Sequence, residues 1–298
     1  MPFLLRGVLA SLLLVLNTLF WCALVFVGAL VKLLLPFEPV RRRIDPLLNV
    51  FANGWVACNS GWMRLTQPTQ WDVQGAETLR RDGWYLVNSN HQSWVDVFVL
   101  QDALRGRIPL LKFFLKQQLI YVPVIGLAWW ALDFPFMQRH GKKALRRRPE
   151  LRAQDHEATL RACRKFSQVP TSVMNFVEGT RFTPEKHARQ GEAYRHLLRP
   201  KAGGVAFVLE AMGDALHAVL DVTIAYPGGT PTMIDLLGGR IPEIVIEVRE
   251  LPILPEVPGS RYEQDSAARV RYQRWVNEIW VDKDARLQRI LSAGQARE

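Results

Sequence analysis

Hydrophobic positions follow two different patterns along this chain. From Gly7 to Val31 no ionisable side chain interrupts the apolar run, and only Ser11, Asn17 and Thr18 are clearly polar. At about 1.5 Å per residue a helix of that length reaches across the roughly 30 Å hydrocarbon core of a bilayer with some tilt. A cleaved signal peptide would have a shorter apolar stretch, about 7–15 residues, and a small-residue cleavage site. A buried helix of a soluble protein would show a polar face. The run therefore predicts membrane attachment, either by spanning the bilayer or by inserting deeply without crossing it. Ile44 to Leu65 reads as a second helix, interrupted by Gly54 and Gly61, whose Trp55 and Trp62 suit an interface as well as a core.

From about Thr66 the period shortens. Strand-like runs at Trp71–Gln74, Trp84–Ser89, Ile108–Phe114, Phe134–Gln138, Ser172–Phe176, Leu220–Tyr226 and Ile244–Leu251 are separated by helical patterns. Those helices are expected at Trp94–Arg105, Gln117–Leu132, Glu150–Ser167, Gly203–Met212 and Tyr262–Leu291. Such alternation predicts an α/β fold, a mixed sheet flanked by helices, over 66–298, preceded by a hydrophobic membrane-anchoring helical region over 1–65.

Composition narrows the function classes. With 298 residues, 49% apolar and 22% charged, the chain has enough apolar surface to offset ordering entropy, which excludes disorder as its main state. Cys22, Cys58 and Cys163 form no C-x-x-C pair, and the six histidines form no H-x-x-x-H or H-E-x-x-H set. Neither a disulfide framework nor a metal site is expected. The net charge of +10 favours anionic partners. Ten basic residues against three acidic ones fall between Arg139 and Lys165. Without an aromatic-basic platform or a recognition motif there, nucleic acid is not an expected partner. Lys32 and Arg41 to Arg43 follow the apolar run while only Arg6 and the terminal amine precede it, so the positive-inside bias puts the bulk of the chain in the cytoplasm.

Candidate chemistry begins where strands end. After Tyr85-Leu86-Val87 comes Asn88-Ser89-Asn90-His91-Gln92-Ser93-Trp94-Val95-Asp96, a polar loop opening a helix. A bend there can fold the Asp96 carboxylate against one His91 nitrogen, fixing the tautomer and leaving the other nitrogen as a proton acceptor. Two other readings stand beside this one: Ser93 as a nucleophile, which lacks a G-x-S-x-G elbow, and a purely structural loop in which His91 satisfies carbonyls while Asp96 and Ser93 cap the helix. A second constellation, Asn175-Phe176-Val177-Glu178-Gly179-Thr180-Arg181-Phe182, also follows an apolar strand. Its glycine permits close backbone approach, its threonine offers a hydroxyl, and its arginine fork matches phosphate oxygens. The plain alternative is a turn with a Glu178–Arg181 surface pair, which contributes little.

Taken together the two blocks are more specific than either. The first resembles the N-H-x4-D motif, and Phe176 to Arg181 the F-x-E-G-T-R motif, of the 1-acylglycerol-3-phosphate acyltransferase (lysophosphatidic acid acyltransferase) family, in the family's order and at a matching separation. Between them Lys116-Gln117-Gln118-Leu119 with Pro123 to Gly126 resembles K-x-E-L…P-x-x-G, with Gln118 where Glu is usual. Phe134 to Arg139 resembles G-x-x-F-I-D-R without its Gly and Asp, Arg199 to Gly204 the F-K-x-G stretch, and Asp221 to Pro227 the late hydrophobic-Pro block. The likeness covers roughly residues 66–230, and its departures place the chain nearer a divergent bacterial branch.

That resemblance implies a membrane-bound O-acyltransferase of phospholipid biosynthesis, its α/β glycerolipid acyltransferase domain spanning 66–298. An acyl group would pass from acyl-CoA or acyl-carrier protein to the free hydroxyl of a lysophospholipid, 1-acyl-glycerol-3-phosphate before others. In family terms His91 is the general base, Asp96 orients it, and Lys116 sits near the acyl carbonyl. Glu178, Gly179, Thr180 and Arg181 line the acceptor's glycerol-phosphate site, and Arg139 adds a second phosphate contact. No cofactor or metal is implied. The 139–165 run would be a solvated helix face, a holder of anionic headgroups at about 1 kcal/mol per basic residue, or a dock for CoA phosphates or an acidic carrier. The expected location is the bacterial inner membrane, with the catalytic domain facing the cytoplasm. The alternatives are an acyltransferase for another lysophospholipid and a non-catalytic anionic-lipid-binding membrane protein, for which a base paired with an orienting acid would have no use.

Overall fold

The computed structural model describes residues 2–137, 169–253, 262 and 265–296. Eight strands lie among them: β1 (Gln70–Gln74), β2 (Tyr85–Ser89), β3 (Leu111–Phe113), β4 (Leu115–Lys116), β5 (Phe136–Met137), β6 (Ser172–Phe176), β7 (Ala218–Ala225) and β8 (Glu243–Leu251). Six build one sheet in the order β1-β8-β7-β2-β6-β3, parallel throughout except for the antiparallel β7–β8 pair. The mixed sheet expected from the alternating pattern is present. β2 and β7 are buried at every position, the mark of strands covered on both faces. Leu86 packs into one core with α6 (Ala202–Met212) and α8 (Ser266–Gln295), whereas its neighbour Val87 packs into the other with α1 (Phe3–Leu34), α2 (Glu38–Thr66) and α3 (Val95–Leu104). The period of two along the strand assigns successive side chains to opposite layers. α8 is pinned to the sheet by the fully buried Lys283, whose Nζ lies 2.9 Å from Asp221 on β7.

Where sequence and structure part, local chemistry explains it. The single helix expected over 117–132 breaks into a 3-10 turn (Gln117–Tyr121) and α4 (Ile125–Ala131). Pro123 brings no N–H, and Val124 takes φ 64° so that Ile125 N donates to the Pro123 carbonyl at 2.7 Å, a strained three-residue turn. A Cβ at Gly126 would overlap the carbonyls of Leu119 and Ile120, so only glycine lets α4 start this close to the turn. The strand expected over 108–114 shortens to β3, because β4 leaves the main sheet to pair with β5. Of the strand expected over 134–138, Phe136–Met137 is formed; the helix expected over 150–167 and the 139–165 basic run lie outside the described residues.

α2 begins at Glu38 rather than near Ile44 and runs through Gly54 and Gly61 without interruption. Gly54 is a contact point: the Trp21 ring of α1 occupies the space a Cβ would need. The polar residues of the apolar run face this seam. Asn17 Nδ2 donates to the Trp55 carbonyl at 3.0 Å and to Asn59 Oδ1 at 2.8 Å, and Trp55 Nε1 donates to Thr18 Oγ1 at 3.0 Å. Leu12, Val15, Leu16, Leu19, Phe20 and Val27 are left exposed. Both ends of α1 touch the α/β portion. Arg6 Nη1 donates to the Gly239 carbonyl at 3.2 Å, beside α7 (Met233–Gly238), while Lys32 Nζ sits 2.6 Å from Asp45 and 3.4 Å from Asp133, just past α4.

Candidate active site

Parallel pairing brings the two motif loops side by side. Ser89 at the end of β2 is in register with Phe176 at the end of β6 and with Val222 on β7. The segments that follow β2 and β6 therefore emerge at one edge, the carboxyl end of parallel strands where α/β sheets present ligand sites. Asn90 fixes the first of them. Its Nδ2 donates to the Ile224 carbonyl and its Oδ1 accepts from Ile224 N, both at 2.9 Å, so a buried side chain pairs with the β7 backbone as a strand would.

Next in the chain, the His91 ring meets Asp96 in the first turn of α3, Nδ1 to Oδ2 at 2.8 Å. A carboxylate only accepts, so Nδ1 carries the proton and Nε2 keeps a free lone pair. The same Oδ2 accepts from Gln92 N at 2.7 Å and Ser93 N at 2.9 Å, and Oδ1 accepts from the Tyr226 hydroxyl at 2.6 Å. Asp96 is fully buried. Burial, with the Asp96 charge second, pushes the Tyr226 phenol above its usual range, so it stays a donor. The other face of the His91 ring stacks on Phe176 with centroids 3.8 Å apart. His91 thus has its Nδ1 edge held, and its side chain is 14% exposed against 1% for Asp96.

Ser93 is not placed for nucleophilic attack. Its buried hydroxyl donates to the Pro231 carbonyl and accepts from Val95 N at 3.1 Å, which is the structural role weighed for it above.

The second loop divides its residues between two tasks. Gly179 adopts φ +69° and closes a turn by donating its N–H to the Phe176 carbonyl at 2.8 Å, a conformation a side chain would strain. Glu178, expected to line an acceptor site, is instead 1% exposed and points inward. Its Oε1 accepts from His91 N at 3.1 Å and its Oε2 from Leu198 N at 3.3 Å, so it ties the two loops together. Burial pushes its carboxyl up to about 8 despite those two donors. Arg181 is exposed, and Thr180 is half-buried. The Arg181 guanidinium lies 4.7 Å from the ring centroid of Trp94, which follows His91 by three residues and is itself 55% exposed. Lys186, from α5 (Pro184–Arg189), braces the turn by donating to Thr180 Oγ1 and the Arg181 carbonyl, each at 2.8 Å.

Lys116 is exposed at the end of β4, and among the described residues no hydrogen bond or ion pair joins it to the His91 loop. Arg139 lies outside the described residues. Sequence reasoning did not find Asn90, Trp94, Phe176, Lys186 and Tyr226 as working parts. Tyr226 stood inside the late hydrophobic-Pro block, but only the pairing of β7 with β2 puts its hydroxyl on Asp96.

Comparison with known proteins gives the family. The acyltransferase family profile matches residues 70–227. The chain is similar to lysocardiolipin acyltransferase 1 of Gallus gallus, 30% identical over 226 residues that cover 70% of this chain and 54% of that protein. It is 27% identical over 240 residues to 1-acyl-sn-glycerol-3-phosphate acyltransferase gamma of Homo sapiens, covering 75% of this chain and 58% of that one. It therefore spans about half the length of these curated relatives. The crystal structure of the 1-acyl-sn-glycerophosphate (LPA) acyltransferase PlsC from Thermotoga maritima shares the fold, with a TM-score of 0.50 and 17% identity over 93% of this chain and 97% of that one. Since the matched stretch covers more than half of the chain and contains both the His91 and the Arg181 loops, this protein belongs to the acyltransferase family.

Proposed function

We propose that the protein is a membrane-attached O-acyltransferase that moves a fatty acyl group from acyl-CoA or acyl-carrier protein to the free hydroxyl of a lysophospholipid, with 1-acyl-glycerol-3-phosphate the first acceptor. The observation that carries this reading is the His91–Asp96 pair, on a loop whose Trp94 ring meets the exposed Arg181 guanidinium of the second loop. The acceptor hydroxyl attacks the thioester carbonyl carbon while His91 Nε2 takes its proton, and buried Asp96 stabilises the imidazolium. The tetrahedral intermediate collapses by breaking the C–S bond, and the departing thiolate takes the proton back from His91. An ester and a free thiol result, with no covalent enzyme intermediate. Arg181, with Arg139, is assigned to the acceptor's phosphate and Lys116 to the developing oxyanion, a role worth roughly 3 kcal/mol where geometry is good. A lipid-binding protein without catalysis would have no use for a buried carboxylate with four donors aiming an imidazole.

In this reading α1 lies in the membrane surface instead of crossing it. Its ends touch Gly239, beside α7, and Asp133, beside α4. α7 follows the exit of β7, and α4 follows β3 by way of β4 and the 3-10 turn; we take both to lie at the sheet edge at which the His91 loop emerges. A helix tied at both ends to one edge of a domain cannot carry its two ends to opposite sides of a bilayer. Its exposed leucines, with exposed Tyr121, Leu127 and Trp130 nearby, offer an apolar face to the leaflet holding the acceptor. We place that leaflet on the cytoplasmic side of a bacterial inner membrane, where acyl thioesters are supplied.

The test is acyl transfer by the purified chain in detergent. Labelled acyl-CoA and acyl-carrier protein are each offered to 1-acyl-glycerol-3-phosphate, lysocardiolipin and lysolipids with other headgroups. Transfer to a phosphate-monoester lysolipid supports the reading; transfer confined to another headgroup replaces the acceptor, and no transfer with either donor rejects catalysis. A Leu12→Lys, Leu19→Lys protein should bind vesicles poorly yet keep its activity in detergent.

A further inference from the structure

Four donors reach the Asp96 carboxylate, and they are not equivalent. The His91 ring and the N–H groups of Gln92 and Ser93 belong to the catalytic loop itself and move when it moves. The fourth, the Tyr226 hydroxyl at 2.6 Å from Oδ1, comes from the residue immediately after β7. It is the one donor of the four that ties the carboxylate to the sheet. Tyr226 is 3% exposed, so its ring cannot swing away to solvent. The neighbouring Asn90–Ile224 pair holds the same end of β7 against the same loop.

We infer that Tyr226 is a positioning residue for acyl transfer, its hydroxyl fixing the rotation of the Asp96 carboxylate and drawing off part of its charge, and so setting both the aim and the basicity of His91. The inference rests on the His91–Asp96 reading above. With three donors on Oδ2 and the Tyr226 hydroxyl as the one donor described on Oδ1, the carboxylate is held in one orientation from both oxygens. Take the phenol away and Oδ1 is left buried without that donor, while Oδ2 bears more charge toward His91. The imidazolium is then better stabilised and His91 becomes the stronger base, but it is aimed less well.

Other titratable groups facing the pair are Glu178, which accepts from His91 N, and Arg181 on the same loop; Lys283 of α8 acts on Glu178 through its charge. None of them is altered by Tyr226→Phe, which keeps the buried ring and removes only the hydroxyl. That variant should turn over roughly tenfold more slowly, the size expected for losing a hydrogen bond to a charged group. Its KM for both substrates should hold, and the acidic limb of its kcat/KM profile should move to higher pH. A 3-fluorotyrosine at the same position is a stronger donor and should move that limb to lower pH. In an Asp96→Asn background, Tyr226→Phe should cost nothing further, because the residue acts only through Asp96.

A folded Tyr226→Phe protein, checked by its melting curve, with parental turnover and an unmoved acidic limb would overturn the inference. So would a full additional loss in the Asp96→Asn background. An inactive parent would instead defeat the acyl-transfer reading itself, so the two failures are distinguishable.

Discussion

The two loops at the carboxyl edge of the sheet are built on opposite principles. Residues 90–96 put their polar atoms into one another and into β7: Asn90 into the Ile224 backbone, Ser93 into Pro231, His91 into Asp96, and Asp96 into four donors. Residues 177–182 bury one carboxyl group, Glu178, and leave Arg181 exposed after a left-handed glycine turn. The first loop is arranged to aim one nitrogen, and the second to meet something from outside. Proton transfer depends on sub-ångström placement, whereas gripping an anion depends on reach and charge. Damage to the first loop should therefore fall on turnover, and damage to the outer part of the second on acceptor affinity.

The hardest test of that division is His91→Ala. Loss of the proposed general base should lower the chemical step by roughly 100- to 10,000-fold, and the acceptor KM should change little because the phosphate grip is assigned to the other loop. Single-turnover kinetics on a folded variant checks this. Near-parental turnover would remove the distinction between the loops along with the mechanism.

Glu178 crosses the division, since it belongs to the second loop yet holds the backbone of His91. Its carboxyl is raised by burial from the usual 4.5 to about 8. Between those values the folded chain keeps a proton that the unfolded chain has released. Stability contributed at this site is thus greatest below about pH 4.5, falls as pH rises, and levels off above about 8. Glu178→Gln cannot ionise, so its stability relative to the parent should improve from pH 5 to pH 8, by an amount on the order of a few kcal/mol at most. Chemical denaturation across that range measures the gap. A gap that does not change with pH would mean Glu178 is ionised throughout, and the bridge between the loops would then be a buried anion.

How much of this was readable in the sequence follows from what each feature depends on. The short β-type runs from Trp71 onward predicted the strands because the length and make-up of such a run is a local property of the chain. His91 and Asp96 were legible as a pair because five residues around a helix start bring them together. The inward turn of Glu178 was not legible, since E-G-T-R reads equally well with its acid outside; the decision rests with Leu198 and His91, which the sequence places 20 and 87 residues away. The break at Pro123 was written in the chain but overridden by an apolar pattern that continued through it. Asn17 and Thr18 looked like isolated polar residues in a lipid-facing run until α2 supplied their partners.

The smallest expected effect lies where the loops touch. Trp94 belongs to the catalytic loop, yet its exposed ring carries the Arg181 guanidinium at 4.7 Å. A cation over an exposed aromatic face contributes about 0.5–1 kcal/mol, and in the proposed acceptor site it would hold the planar fork ready for a phosphate. Trp94→Leu should therefore raise the acceptor KM about two- to fivefold and leave kcat near the parental value, even though the substitution sits three residues from His91. Arg181→Lys should raise the same KM by about tenfold, because the charge stays but the bidentate fork is lost. The double variant should be less than the product of the two, since a lysine has no fork for the ring to hold in place. Initial-rate measurements over a range of lysolipid concentrations separate the cases. Fully multiplicative effects would mean that Trp94 contacts the lipid on its own account, and a fall in kcat with KM unchanged would return it to the machinery that aims His91.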